Sequence, residues 1–183
     1  MCSFLSKITK EEKGGDFKSY NCLHYCDNYK IIIVGTITPP SGRKDNTGFF
    51  YMSRSNSMYK ILDKFFEKKG IKTEFQKNHL EWNITQLKKD LSDKGILFLD
   101  TVKSCQNPKE SHKDNDLESI QLDYQSFKNI KDNAIVVANS INAFFSLLMI
   151  MRANKLDHKI HFCKLFYGHN QEEWNSLLEK AGV

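Results

Sequence analysis

Two stretches of this chain carry residues whose chemistry does not belong to a simple core. The first, GFFYMSRSNSMY (residues 48–59), runs three aromatics into small polar residues ahead of an amphipathic pattern. Phe50 or Tyr51 can wall a pocket for a flat ring, or join the core as the chain turns into a helix. Asn56 brings a carboxamide beside Arg54, and an asparagine in that place is also a natural helix cap. The second stretch, ILFLDTVKSC (96–105), closes an apolar run with Asp100. A carboxylate there is costly unless it is paired or put to use, and its alternatives are a helix cap or an ion pair with Lys103. Arg43 and Lys44 follow another apolar run, where they suit phosphate groups or plain solvation.

The elements that would position these groups alternate. YKIIIVG (29–35) is a continuous apolar run ending in glycine, as expected of a strand buried on both faces of a parallel sheet. NSMYKILDKFFEKKG follows as a helix, with Met58, Tyr59, Leu62, Phe65 and Phe66 on one face, a cap at Ser55 or Asn56 and a stop at Gly70. A second helix over 83–95 sets Ile84, Leu87 and Leu91 on one stripe and stops at Gly95, leading into the strand ILFLD (96–100). AIVVA (134–138) and KIHFCKL (159–165) read as further strands, each followed by a helix, the last with Asn170 as cap and Glu172 and Glu173 in its first turn. This alternation predicts an α/β domain with four parallel strands. Ligands in such sheets bind beyond the carboxyl ends of the strands, which directs attention to GTITPP, DTVKSC, ANS and FYGHN. The stretch QNPKESHKDNDLESI (106–120), with His112, reads as a long charged loop that is either solvated or used to grip a ligand.

The bulk properties set limits. A chain of 183 residues is expected to form one domain, 1–183, with residues 1–28 as an extension to a core over 29–180. That length buries roughly two-thirds of the unfolded surface without staples. The five cysteines, at 2, 22, 26, 105 and 163, are odd in number, and Cys22 and Cys26 lack a second pair at zinc spacing, so they read as reduced cytosolic thiols. His24, His79, His158 and His161 show no metal-ligand spacing. The polar N-terminus and the lack of any apolar run of ~20 residues predict a cytoplasmic monomer with no membrane segment. A net charge of +5 fits an anionic partner. No Gly-rich phosphate loop is present, which argues against a small-molecule nucleotide binder, and no cofactor is implied.

Taken in order, GTITPP after the first strand, FYMSRSNSMYKIL leading into the helix and LFLDTVKSC at the second strand resemble the uracil-DNA glycosylase superfamily over about residues 29–180. That superfamily has a G-x-x-P loop, an aromatic, an N-x-F/M/I-W/Y-K helix start and a strand ending in L-x-N/D. The hypoxanthine-DNA glycosylase branch is the most similar. Its paired aromatics, four spacers and N-x-F-W line up with Phe50, Tyr51, Asn56, Met58 and Tyr59. Its W-D-V-x-x-S-C is similar to Leu99, Asp100, Thr101, Val102, Ser104 and Cys105. The resemblance implies a three-layer α/β/α fold around a four-stranded parallel sheet. It implies hydrolysis of the N-glycosidic bond of a flipped-out deaminated or modified base, with single- or double-stranded DNA as partner.

The same resemblance implies roles for single residues. Asn56 becomes the catalytic asparagine, and Asp100 reads the base edge or shares in catalysis. Thr36, Ile37, Thr38 and either Phe50 or Tyr51 surround the base, where stacking is worth about 1–3 kcal/mol. Arg43, Lys44, Ser53, Arg54, Ser55, Lys103 and His169 face DNA. An ionised carboxylate only accepts hydrogen bonds, so Asp100 favours a base edge that carries donors over ordinary uracil. The chain departs from the pattern twice. Thr36, Ile37 and Thr38 occupy the place where relatives keep an Asp or Asn, and CKLFYGHNQEEW lacks the loop that relatives insert into the duplex, with His169, Phe166 or Tyr167 as its possible substitutes. Two function classes follow: a DNA glycosylase, or a glycosylase-fold module of weak or no activity that binds nucleic acid or a nucleobase.

Overall fold

The computed structural model of the chain describes residues 16–18, 27–37, 50, 57–74, 83–106, 116–164 and 170–183. In chain order the elements are β1 (Asp16–Lys18), β2 (Ile31–Gly35), α1 (Met58–Lys68), α2 (Ile84–Asp93), β3 (Ile96–Asp100), β4 (Val102–Gln106) and β5 (Glu118–Leu122). After these come β6 (Ile135–Ala138), α3 (Ile141–Ala153), β7 (Ile160–Phe162) and α4 (Gln171–Lys180). β2, β3, β6 and β7 form one parallel sheet in the order β3-β2-β6-β7. This is the expected four-stranded α/β architecture.

The apolar runs explain why the sheet is central. Alternate residues of a strand face opposite sides. Ile31 and Ile33 therefore pack with Phe98 and Val137 against α1, α2 and α4. Ile32 and Val34 pack with Leu97, Leu99, Val136 and Ala138 against α3 and the turn carrying Phe127 and Ile130. The first side is the richer in aromatics. Phe98 stands edge-on to Tyr59 at 6.0 Å between ring centroids and tilted to Phe50 at the same distance, and Tyr59 Oη donates to the Phe50 carbonyl at 2.9 Å. Among the described residues no helix is long and apolar enough to cross a membrane.

Three expectations need correction. The cap of α1 is Ser57, not Ser55 or Asn56, and its side chain makes no capping hydrogen bond. The last strand is shorter than KIHFCKL: β7 is a three-residue edge strand with Phe162 exposed. The third correction is larger. Residues 106–120 are not all loop, and beyond Asp100 the chain passes directly into another strand. β4 and β5 pair antiparallel, and β1, from the stretch expected to be an extension, pairs antiparallel with β4, giving a second sheet in the order β1-β4-β5. β5 (ESIQL) has no buried face, so no hydrophobic alternation marks it as a strand.

Glycines set two of the helix ends. Gly70 (φ +67°) closes α1, with the Gly70 and Ile71 N–H groups donating back to Glu67 O and Phe66 O. Gly95 (φ +71°) closes α2, and its carbonyl accepts from Lys30 and Ile31 at 2.8 and 3.2 Å, which ties the start of β3 to the start of β2. A Cβ on Gly95 would lie 3.0 Å from Asn28 O and 3.1 Å from Lys30 Cγ, whereas one on Gly70 meets nothing within 4 Å. Gly70→Ala should thus lower stability by about 1 kcal/mol from the left-handed backbone alone, and Gly95→Ala by about 2 kcal/mol or more. Urea denaturation of both variants checks the order, and equal midpoints would contradict it.

Candidate functional site

The carboxyl edge of the parallel sheet is built by backbone pairing that outlasts the strands. In register, Gly35 stands beside Asp100 and Val34 beside Ala138. Beyond that point Thr101 N–H still donates to Gly35 O at 2.8 Å, and Val102 N–H to Thr36 O at 2.9 Å. On the other side Asn139 N–H donates to Val34 O, and Cys163 N–H to Ala138 O. The segments GTI, DTV, ANS and CK are therefore lined up in the order DTV, GTI, ANS, CK across one edge.

The side chains on this edge are polar and enclosed. Asp100 is 2% exposed and Thr36 9%. Thr36 Oγ1 lies 3.1 Å from Ser140 Oγ, and Ser140 caps α3 by accepting from Ala143 N–H at 3.1 Å. Asn139 is also buried, as is Thr101, whose carbonyl accepts from Asp123 N–H at 2.8 Å. Asp123 in turn accepts from the backbone N–H and hydroxyl of Ser126, which holds the turn after β5. Asp100 thus sits where the parallel sheet passes directly into the antiparallel one.

No family model matches the chain, and no curated protein matches it. Among solved structures, the solution NMR structure of a protein from Methanosarcina acetivorans proposed to be a uracil DNA glycosylase superposes with a TM-score of 0.58 at 15% identity, over 86% of this chain and 93% of that one. The chain has a uracil-DNA-glycosylase-like fold.

Within that fold the expected site residues separate into those the structure places and those outside the described residues. Asp100, Thr36 and Ile37 all lie along the carboxyl edge, Asp100 in register with Gly35, Thr36 against Ser140, and Ile37 in a small apolar cluster with Val102 and Cys105. Lys103 is exposed on β4. Phe50 is fully enclosed in the core against Phe98, so in this conformation its ring offers no face to a ligand. Thr38, Arg43, Lys44, Tyr51, Ser53, Arg54, Ser55, Asn56 and His169 lie outside the described residues, as do His112, Phe166 and Tyr167. Asn139, buried, and Ser140, against Thr36, also stand on this edge. The signal for them was present in ANS, a polar pair between a buried strand and a helix.

No group of three or more His, Cys, Asp or Glu side chains that could hold a metal occurs among the described residues. His158 Nε2 lies 2.9 Å from Lys131 O. Burial, with Lys159 and Lys180 nearby, lowers the pKa of His161. Cys163, at the far end of the edge, is 1% exposed. Burial chiefly, then the charge of Glu173 and the hydrogen bond to it, pushes its thiol from 9.0 up to about 12.

A thiol pKa raised in the folded state favours the protonated form. Its stabilising contribution is whole below the unfolded value of 9.0 and is lost as pH rises toward about 12. Stability should therefore fall between these pH values, and Cys163→Ala should show a shallower fall over the same range. Thermal melts of both proteins across that range measure the difference. Parallel curves would show that Cys163 is not the group responsible.

Proposed function

We propose that the protein is a DNA glycosylase that hydrolyses the N-glycosidic bond of a deaminated or modified base flipped out of DNA. The observation that carries this reading is the enclosed carboxylate of Asp100, in register with Gly35 at the carboxyl edge of a sheet with a uracil-DNA-glycosylase-like fold. Enzymes that act on a base inside DNA must take it out of the stack and read its edge in a pocket. Positive charge then builds on the sugar and negative charge on the departing base, so preorganised polar groups do much of the work. On this reading Asp100 accepts from donors on the base edge, as a hypoxanthine-type or amine-bearing base supplies. Thr36, Ile37 and Thr38 line the base, and Asn56 orients the water or the glycosidic bond.

Tyr51 is the better candidate for stacking, since the Phe50 ring is taken up by the core. Arg43, Lys44, Ser53, Arg54, Ser55, Lys103 and His169 would hold the strand. A second reading is supported by the Thr36 hydroxyl, which lies in hydrogen-bond contact with Ser140 Oγ and provides no general base. In that reading the protein is a glycosylase-fold module of weak or no activity that binds nucleic acid or a nucleobase.

The test is an alkali-cleavage assay on single- and double-stranded oligonucleotides carrying uracil, hypoxanthine, xanthine or modified cytosines. Strand breaks should appear with the wild-type protein and drop by on the order of 10²-fold or more in Asn56→Ala and in Asp100→Ala. Asp100→Asn, which regains a donor, should shift preference toward uracil. Breaks that persist in both alanine variants would refute the assigned roles. No breaks on any substrate, with DNA binding that weakens steeply with salt, would leave the binding module.

A further inference from the structure

Among the described residues, one side of the sheet is covered by α3 and the turn that carries Phe127 and Ile130. α3 buries Ala143, Leu147, Ile150 and Met151 against the sheet. Its outer side is apolar as well: Ile141, Phe145, Leu148 and Met149 are 51%, 58%, 43% and 60% exposed. Their spacing of i, i+4, i+7 and i+8 makes one continuous stripe. Phe144 joins it to Phe162 of the edge strand, with ring centroids of 5.8 Å from Phe144 to both Phe145 and Phe162. No charged residue occurs from Ile141 to Met151. A helix that is apolar all round is normally covered all round.

We propose that this stripe is the self-association surface of the protein, packed antiparallel against α3 of a second copy about a twofold axis at Phe145. This inference is independent of the glycosylase reading, and it replaces the monomer expected from sequence. Ile141, Phe145 and Leu148 follow the 4-3 spacing of a helix-pairing seam. The stripe is nearly symmetric about Phe145, so an antiparallel pairing sets Phe145 against Phe145 and Ile141 of one protomer opposite Met149 of its partner. Such a self-complementary patch is what a twofold dimer needs.

The area agrees. With Phe162 the exposed fractions amount to on the order of 400 Å² of apolar surface, the size of the largest and often functional patch on a single protein. Interfaces are about 60% apolar, so this corresponds to roughly 700 Å² per partner, close to the standard dimer contribution. A nucleic acid would want cations, which the stripe lacks. A membrane surface would want a polar opposite face on the helix, and that face of α3 is buried in the core.

Sedimentation equilibrium of the full chain tests the proposal. The wild-type protein should sediment at twice 21.3 kDa at micromolar concentration. Phe145→Glu, at the centre of the contact, should weaken self-association by about 30-fold or more with an unchanged circular dichroism spectrum. Should that variant misfold, Phe145→Cys decides: mild oxidation should give a covalent dimer that wild type and Lys128→Cys do not. A wild-type protein that stays monomeric, a dimer that withstands Phe145→Glu, or a monomer that pellets with anionic phospholipid vesicles would each overturn the proposal.

Discussion

The ladder between β2 and β3 is the constraint on which the candidate site depends. Parallel strands usually release their chains at the carboxyl end into separate loops. Here the pairing continues through Thr101 and Val102 onto the carbonyls of Gly35 and Thr36, and the chain passes at once into β4. Asp100 is therefore gripped from both sides, by the parallel ladder behind it and the antiparallel sheet ahead. These contacts use backbone atoms alone, so they hold whatever side chains occupy the edge. That is why a threonine can stand at position 36 without disturbing the placement of Asp100.

The two faces of the sheet are built unequally, and the inequality has consequences. α1, α2 and α4 enclose an aromatic-rich core with Phe65, Phe66, Phe98 and Trp174 fully or almost fully buried. The chain end is tied to this side, since Lys30 Nζ donates to Gly182 O and Lys69 Nζ to Val183 O. The opposite face is covered by α3 and a turn held by Asp123. Thr36 and Ser140 connect this layer to the candidate site, because the residue that caps α3 also touches the exit of β2. Whatever packs on the outside of α3 thus acts on a helix whose first turn adjoins the polar edge.

How far the sequence could be read follows from which signals are physical at the level of a single stretch. ILFLD was legible to the residue, because a strand buried on both faces has no other reading of comparable strength once Gly95 and Asp100 bound it. α1 and α2 were legible from an apolar stripe and a glycine stop, α3 as an apolar stretch after a buried strand, and α4 from its acidic first turn. β5 was not, since ESIQL is exposed along its length and owes its conformation to β4 rather than to its own pattern. Phe50 was ambiguous because an aromatic run does not say which ring turns inward. That is decided by tertiary contacts, the Tyr59 hydroxyl on its carbonyl and the Phe98 ring beside it. The site was half legible: Asp100 stood out as a carboxylate on an apolar strand, while Asn139 and Ser140 had no feature beyond a common helix-capping pattern.

The rigidity of the edge bears on how work would be divided in the proposed reaction. A group that reads a base should be immobile, so that the cost of ordering it is met on folding and not on binding. Asp100 meets that condition through its two ladders. The proposed reading therefore gives recognition to Asp100, whose backbone the two ladders hold, and leaves Thr36, in contact with Ser140, to the framework.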